Sequence, residues 1–291
     1  MSLREKLTSG RFVVLAEMEP PKGVEVGSIL TNAARVRGRV DAVVVPEMGH
    51  AVMKMSALGG AILLQGKGFE TIMEVCCRDR NRLALQGDLL AASALGVANV
   101  MVVAGETIAH GDHHRARPVC DVELVDLLEG MQRLQQGRDM AGVELRGSPR
   151  FFVGSTVNAG ASGGFLDLEL AELDRKIGAG AEFFITAPVF SLDTLKAFMK
   201  RVGGRKAFII PTVLLLKSVG MIRYMNRFES QVKVPEGITS RIQGAPDKAR
   251  ESVQVAAELT RTLKEEGYRG VCLSTLGWED KLGDILDEAG L

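Results

Sequence analysis

In 291 residues the chain has four cysteines, two tyrosines, one tryptophan and no net charge. Each shortage excludes a class of protein. Cys76, Cys77, Cys120 and Cys272 are too few for the disulfide framework of a secreted fold. Neither CxxC nor HExxH spacing occurs, which argues against a zinc centre. Lys plus Arg (36) cancels Asp plus Glu (36), so no field of one sign points to nucleic acid or an anionic membrane. No apolar run reaches the ~18 residues of a membrane-spanning helix. The charged start, MSLREKLTSGRF, lacks the apolar core of a signal peptide. The expectation is a cytoplasmic protein whose partner is a small molecule or another protein. Aromatics are 5% of the chain while glycines number 33, a balance that suits tight α/β layers better than a β-sandwich.

What the chain does have is recurrence. Apolar runs of strand length begin at Phe12, Val40, Phe69, Ala98, Arg150, Ala181, Lys206 and Arg269. Most are continuous rather than alternating, as in parallel strands buried on both faces. Helical stretches lie between them. Residues 82–95 repeat Leu83, Leu85, Leu89, Leu90 and Ala94, and residues 166–179 and 192–202 repeat the pattern with Gly near each end. Asp167 and Ser191 offer N-caps. About eight strand–helix repeats without a Pro/Gly/Ser-rich linker predict one domain over residues 1–291, an α/β chain folded as a single (β/α)8 TIM barrel. A doubly wound sheet is the competing arrangement. Two connections, residues 107–118 and 224–248, are longer than a barrel needs. The first carries His110, His113 and His114, for which a solvated lid is a better account than a metal site.

Barrel enzymes place their chemistry at or just after the C-terminal ends of strands. That rule selects Glu17, Glu19, Glu47, and Glu74 with Cys76, Cys77, Arg78 and Asp79. It continues through Glu106, Ser155 to Asn158, Thr186, Lys217 with Ser218, and Thr275 with Trp278, Glu279 and Asp280. Carboxylates crowded in one cavity raise at least one pKa, giving an acid for proton transfer near neutrality. Glu17 closes an apolar run. It either faces a cavity or is a buried carboxylate satisfied by neighbours, and the two readings stand even. GSTVNAGASGG (residues 154–164) is equally a phosphate cradle or a flexible turn, and Arg175 with Lys176 are diphosphate-binding cations or solvated surface. The adjacent Cys76 and Cys77 read as small packed hydrophobes.

Several stretches carry more than a fold: AEMEPP (16–21), CRDRNRLALQGDLLAASALG (77–96), DRKIGAGAEFFIT (174–186), PVFSLDTLKAFM (188–199), LLLKSVGMIRYMN (214–226) and LGWEDKLGDIL (276–286). Together they resemble the methylenetetrahydrofolate reductase family, flavin-dependent (β/α)8 enzymes of one-carbon metabolism, from about Phe12 to Leu291. The last two look like the short reductases of acetyl-CoA-pathway anaerobes. The resemblance implies a bound FAD, with FMN as the alternative, and hydride transfer from reduced flavin to 5,10-methylene-tetrahydrofolate, giving 5-methyl-tetrahydrofolate. It implies Glu17 as the acid that protonates N10 while the five-membered ring opens, and Glu106 as the acid of a Gly-acid turn near flavin and pterin. Gly105 would approach the isoalloxazine, and Glu74, Asn158, Arg175 and Lys176 match flavin-contacting positions. Thr186 and Ala187, with Glu106, fall at substrate-binding positions. The implied reductant is NAD(P)H or a protein electron donor, such as a partner subunit bearing iron-sulfur or zinc sites, and the implied assembly is a homo- or hetero-oligomer. The family usually has His at Glu74, Asp at Glu106, Gln at Ala187 and Thr at Pro46. Those departures keep open a divergent flavoprotein paralogue, or an electron-relay subunit, with an altered substrate.

Overall fold

A computed structural model describes residues 1–228 and 232–291. Eight strands close into a barrel in chain order: β1 (Val13–Glu17), β2 (Ala42–Val45), β3 (Thr71–Cys76), β4 (Asn99–Val103), β5 (Phe152–Val157), β6 (Phe183–Pro188), β7 (Phe208–Leu214) and β8 (Gly270–Ser274). All neighbours pair in parallel, and β8 returns to β1 through Val13↔Gly270 and Leu15↔Cys272. The expected (β/α)8 barrel is the observed fold, and the doubly wound sheet is excluded by closure.

Helix α1 (Leu3–Thr8) precedes the barrel, and α2 (Gly27–Arg35), α3 (Ala57–Gln65), α4 (Arg82–Ala94) and α5 (Leu124–Gln135) follow the first four strands. The second half adds α6 (Gly164–Gly178), α7 (Leu192–Val202), α8 (Val219–Phe228), α9 (Glu236–Gly244), α10 (Lys248–Glu265) and α11 (Leu282–Ala289). Among the described residues, no helix is long and apolar enough to cross a membrane. Ser191 caps α7 as expected, its Oγ accepting the Thr194 N–H. Asp167 does not cap α6. That helix begins earlier, at Gly164, which leaves Asp167 inside its first turn. The connection over 224–248 is largely helical, in α8 and α9, and its residues 229–231 lie outside the described residues.

Two apolar layers follow from strand geometry, in which successive side chains point to opposite faces. One set packs outward against the helices, with Val43, Val100, Phe184 and Leu273 among its members. The other fills the barrel interior: Val13 and Leu15, Ala42 and Val44, Ile72, Met101, Phe152, Phe183 and Ile210. Phe183 occupies the space a side chain at Gly154 would need, since a Cβ there would fall 2.3 Å from its ring. At the N-terminal end, Leu3 and Leu7 of α1 join this interior cluster and close the barrel floor. The open end of the barrel is therefore the C-terminal one.

Candidate active site

The same alternation that fills the barrel carries acids into its mouth. Glu17 follows Val13 and Leu15 on β1, Glu74 follows Ile72 on β3, and Ser274 follows Cys272 on β8. Glu17 Oε1 accepts a hydrogen bond from Ser274 Oγ at 2.8 Å. Withdrawal from water pushes the Glu17 carboxyl above its ordinary range; the Ser274 bond opposes the shift and the charge of Glu19 adds to it. Glu74 is pushed up to about 8, first by withdrawal from water and then by the charge of Glu17. At neutral pH Glu74 is therefore mostly an uncharged acid. Its Oε2 accepts the Glu47 N–H at 3.1 Å.

The polar turn after β3 fastens the loops on either side. Arg78, only 5% exposed, forks onto Asp79 through two contacts of 2.6 Å. It also donates to the carbonyls of Glu106 at 3.0 Å and Met48 at 3.4 Å. Arg80 donates to Glu47 Oε1 at 2.9 Å, and Glu47 Oε2 accepts the Ala57 N–H at 2.6 Å. Glu47, Asp79 and Arg80 thus act as struts: both oxygens of each carboxylate are bound by protein, and Arg80 also pairs with Asp88 at 2.9 Å.

Above them, the rim over β1, β2 and β4 is stitched together. Lys54 pairs with Glu19 and Lys22 with Asp112, while Asp112 also accepts the Met53 N–H at 3.0 Å. A Cβ on Gly111 would fall 1.8 Å from the Ala51 carbonyl oxygen, so only glycine lets these two loops touch. Nδ1 of His50 lies 3.3 Å from Glu106 Oε2. The pairing lowers the Glu106 pKa and raises that of His50.

The opposite side of the mouth is apolar. Ala187 packs on a cluster that includes Phe190, Leu214, Leu216 and Ile222. Thr186 is occupied by the sheet. Its hydroxyl donates to the Ala187 carbonyl at 2.6 Å and accepts the Thr212 N–H at 3.0 Å, bridging an irregularity between β6 and β7. Lys217 donates to the Leu276 carbonyl and stands 5.5 Å from the Trp278 ring centroid. Ser155 is buried and donates to the Val102 carbonyl at 2.9 Å.

The positions matched to a flavin divide. Gly105 has φ +89°, and a Cβ there would fall 2.4 Å from Cys76 Sγ. The Asn158 side chain accepts the Gly160 N–H at 2.8 Å, which shapes the turn after β5. Lys176 donates to the Thr156 carbonyl at 2.8 Å, and burial lowers its pKa. Arg175 is exposed and pairs with Glu172 at 3.1 Å on its own helix. Helix α6, 15 residues long, starts behind Gly163 with no side-chain cap, and a Cβ at Gly163 or Gly164 would meet nothing within 4 Å. Open N–H groups at a helix start are the donor set an anionic diphosphate requires. Gly105, Asn158, Lys176 and the start of α6 fit a flavin, and Arg175 does not join them. Burial pushes the Cys76 and Cys77 thiols up to about 11 and about 12, in keeping with packed side chains.

Sequence reasoning missed His50 and Ser274. Ser274 ends β8 and meets the strand-end rule that selected Glu17. His50 lies beyond the end of β2 and reaches the site only through a folded-back loop.

Known structures share the architecture. The chain is similar to 2,3-dimethylmalate lyase, a member of the PEP mutase/isocitrate lyase superfamily, with TM-score 0.55 and 12% identity over 99% of this chain and 87% of the other. It is similar to the EDTA monooxygenase of Chelativorans sp. BNC1, with TM-score 0.55 and 11% identity over 96% of this chain and 92% of the other. At these identities the likeness is one of fold. A rice (Oryza sativa subsp. japonica) protein named "Probable methylenetetrahydrofolate reductase (NADH)" is 23% identical over 233 residues, 76% of this chain. The chain spans 38% of the length of that relative. The model of the methylenetetrahydrofolate reductase family matches residues 2–290, and the chain belongs to that family.

Proposed function

We propose that this chain is a flavin-dependent oxidoreductase that converts 5,10-methylene-tetrahydrofolate to 5-methyl-tetrahydrofolate at the C-terminal mouth of the barrel. The observation that carries the reading is Glu17, a carboxyl held at the mouth by Ser274 with its pKa raised. A reduced flavin would supply the hydride when bound. Glu17 holds a proton nearer neutrality than an ordinary glutamate and delivers it to N10 as the ring opens. Ser274 fixes the carboxyl orientation. Glu106, kept ionised beside His50, stabilises the positive charge that develops on the substrate. Glu74, mostly uncharged, sits beside Glu17 without adding a full second negative charge. Gly105, Asn158, Lys176 and the open start of α6 would hold the flavin, and that helix start favours the diphosphate of FAD over FMN.

NADH is the reductant proposed first, because the rice relative's name includes it. A protein donor is the second reading. Val24, Met53, Val119, Phe165 and Leu168 are large apolar side chains exposed on loops or a helix start at the C-terminal face, as a docking surface would be. An altered substrate is favoured by Ala187, which offers an apolar wall in place of an amide. Mass spectrometry of the group released on denaturation, followed by folate titration of the bound chromophore, tests the main reading. Turnover with NADH alone supports direct reduction. No flavin, or no spectral response to folate, sinks the proposed activity.

A further inference from the structure

The loop after β2 has an unusual backbone. Met48, His50 and Ala51 all have positive φ, at 51°, 55° and 56°, a region that side-chain-bearing residues avoid. Three such residues in four positions persist only if their surroundings over-determine them. Here they do. Arg78 holds the Met48 carbonyl, Gly111 abuts the Ala51 carbonyl, and Asp112 takes the Met53 N–H. What this strained loop delivers is one imidazole, His50, to one carboxylate, Glu106. The other histidines, His110, His113 and His114, lie in the loop after β4.

Glu106 stands where the sequence resemblance expects an aspartate, so its carboxylate hangs on one more rotatable bond. A half-exposed glutamate would otherwise sample several rotamers at the mouth. We propose that His50 is a positioning residue that holds the Glu106 carboxylate in one orientation over the mouth and sets the pH range in which that carboxylate is paired. The inference rests on the reductase reading above, in which Glu106 acts on the substrate. The charged groups around the pair are Glu17 and Glu19 from β1 and its loop, Arg78 from the turn after β3, and His110 beside Glu106. Glu17, Glu19 and Glu106 favour the imidazolium, whereas Arg78 and His110 favour ionised Glu106. The ion pair therefore exists between the lowered Glu106 pKa and the raised His50 pKa. It is lost as pH rises through the latter. A ligand covering the mouth would strengthen the pair by excluding water.

The test uses the full chain with its cofactor and has two arms. In the first, labelled histidines are titrated by NMR in the wild type and in Glu106→Gln. The His50 midpoint is expected above the ordinary histidine value of 6.5 in the wild type and lower in Glu106→Gln. An unchanged midpoint overturns the pairing. In the second, kcat/KM for the folate is measured against pH for the wild type, His50→Gln and His50→Ala. An alkaline limb that moves or flattens in both variants, a loss of about tenfold in His50→Ala and partial rescue by the hydrogen-bonding Gln support positioning. An unmoved limb, or equal losses that follow loss of flavin absorbance, overturns it. Wild-type protein without folate turnover overturns the reductase reading, and the histidine titration, which needs no substrate, still decides the pairing.

Discussion

Glu17 and Glu74 show how one rule of strand geometry makes two different acids. Both continue an inward apolar series, yet Glu17 is held by a serine hydroxyl while Glu74 accepts a backbone N–H and feels the charge of Glu17. Replacing Glu17 with Gln keeps the shape and removes the proton. Turnover is expected to fall by about 10²–10⁴-fold, the usual worth of a general acid, with the flavin spectrum and Tm unchanged. Glu74 makes a prediction about stability. Its folded pKa, about 8, lies above the ordinary glutamate value of 4.5 that holds in the unfolded chain. Its contribution is full below the unfolded value and is lost as pH rises through about 8. The wild-type Tm should therefore drop between pH 5 and 9, and Glu74→Gln should reduce that drop; equal slopes in scanning calorimetry would refute the assignment. Glu17 was legible because a charge at the end of an apolar run demands a reason. Glu47 satisfied the same rule and proved a strut, because its partners, Ala57 and Arg80, are brought to it only by folding.

Among the elements, strands were the most legible and loops the least. Seven of the eight strands lie within the apolar runs and β6 passes the end of its run by one residue, Pro188, since strands sealed on both faces can hold few polar residues. The start of α6 was displaced because Asp167 looks like a cap, whereas the helix is capped by Gly163, which has no side chain to bond the first turn. The paired loops after β2 and β4 could not be read from sequence. Their contact depends on Gly111 lying against the Ala51 carbonyl, a closeness that composition does not encode. Gly111→Ala is expected to separate the loops at a cost of about 1–3 kcal/mol, as overpacking does. Urea unfolding measures that cost, and the His50 NMR midpoint should fall below its wild-type value.

The whole molecule is a barrel with one closed and one open end. Leu3 and Leu7 seal the floor with no solvent exposure. Leu7→Ala should cost about 2–5 kcal/mol, read by denaturant midpoint, while kcat of the surviving folded protein stays near wild type. A cavity of about 890 Å³ opens near the N-terminal ends of β7 and β8, lined by Lys196, Lys200, Arg205, Lys206 and Arg269 among others. Its cations do not single it out as a site: Lys200 lies in the last turn of α7, where a positive charge complements the helix carbonyls, and Lys196 and Arg205 are already in ion pairs. The mouth is organised differently. The loops after β1, β2 and β4 are fastened to one another by the Lys54–Glu19 and Lys22–Asp112 pairs and by the bond from Met53 N–H to Asp112, so much of the ordering entropy there is lost during folding. A ligand approaching that wall meets a surface of fixed shape, and little of its binding energy goes into freezing a lid. Its rate of capture on that side should therefore follow diffusion and orientation, with no slow closing step.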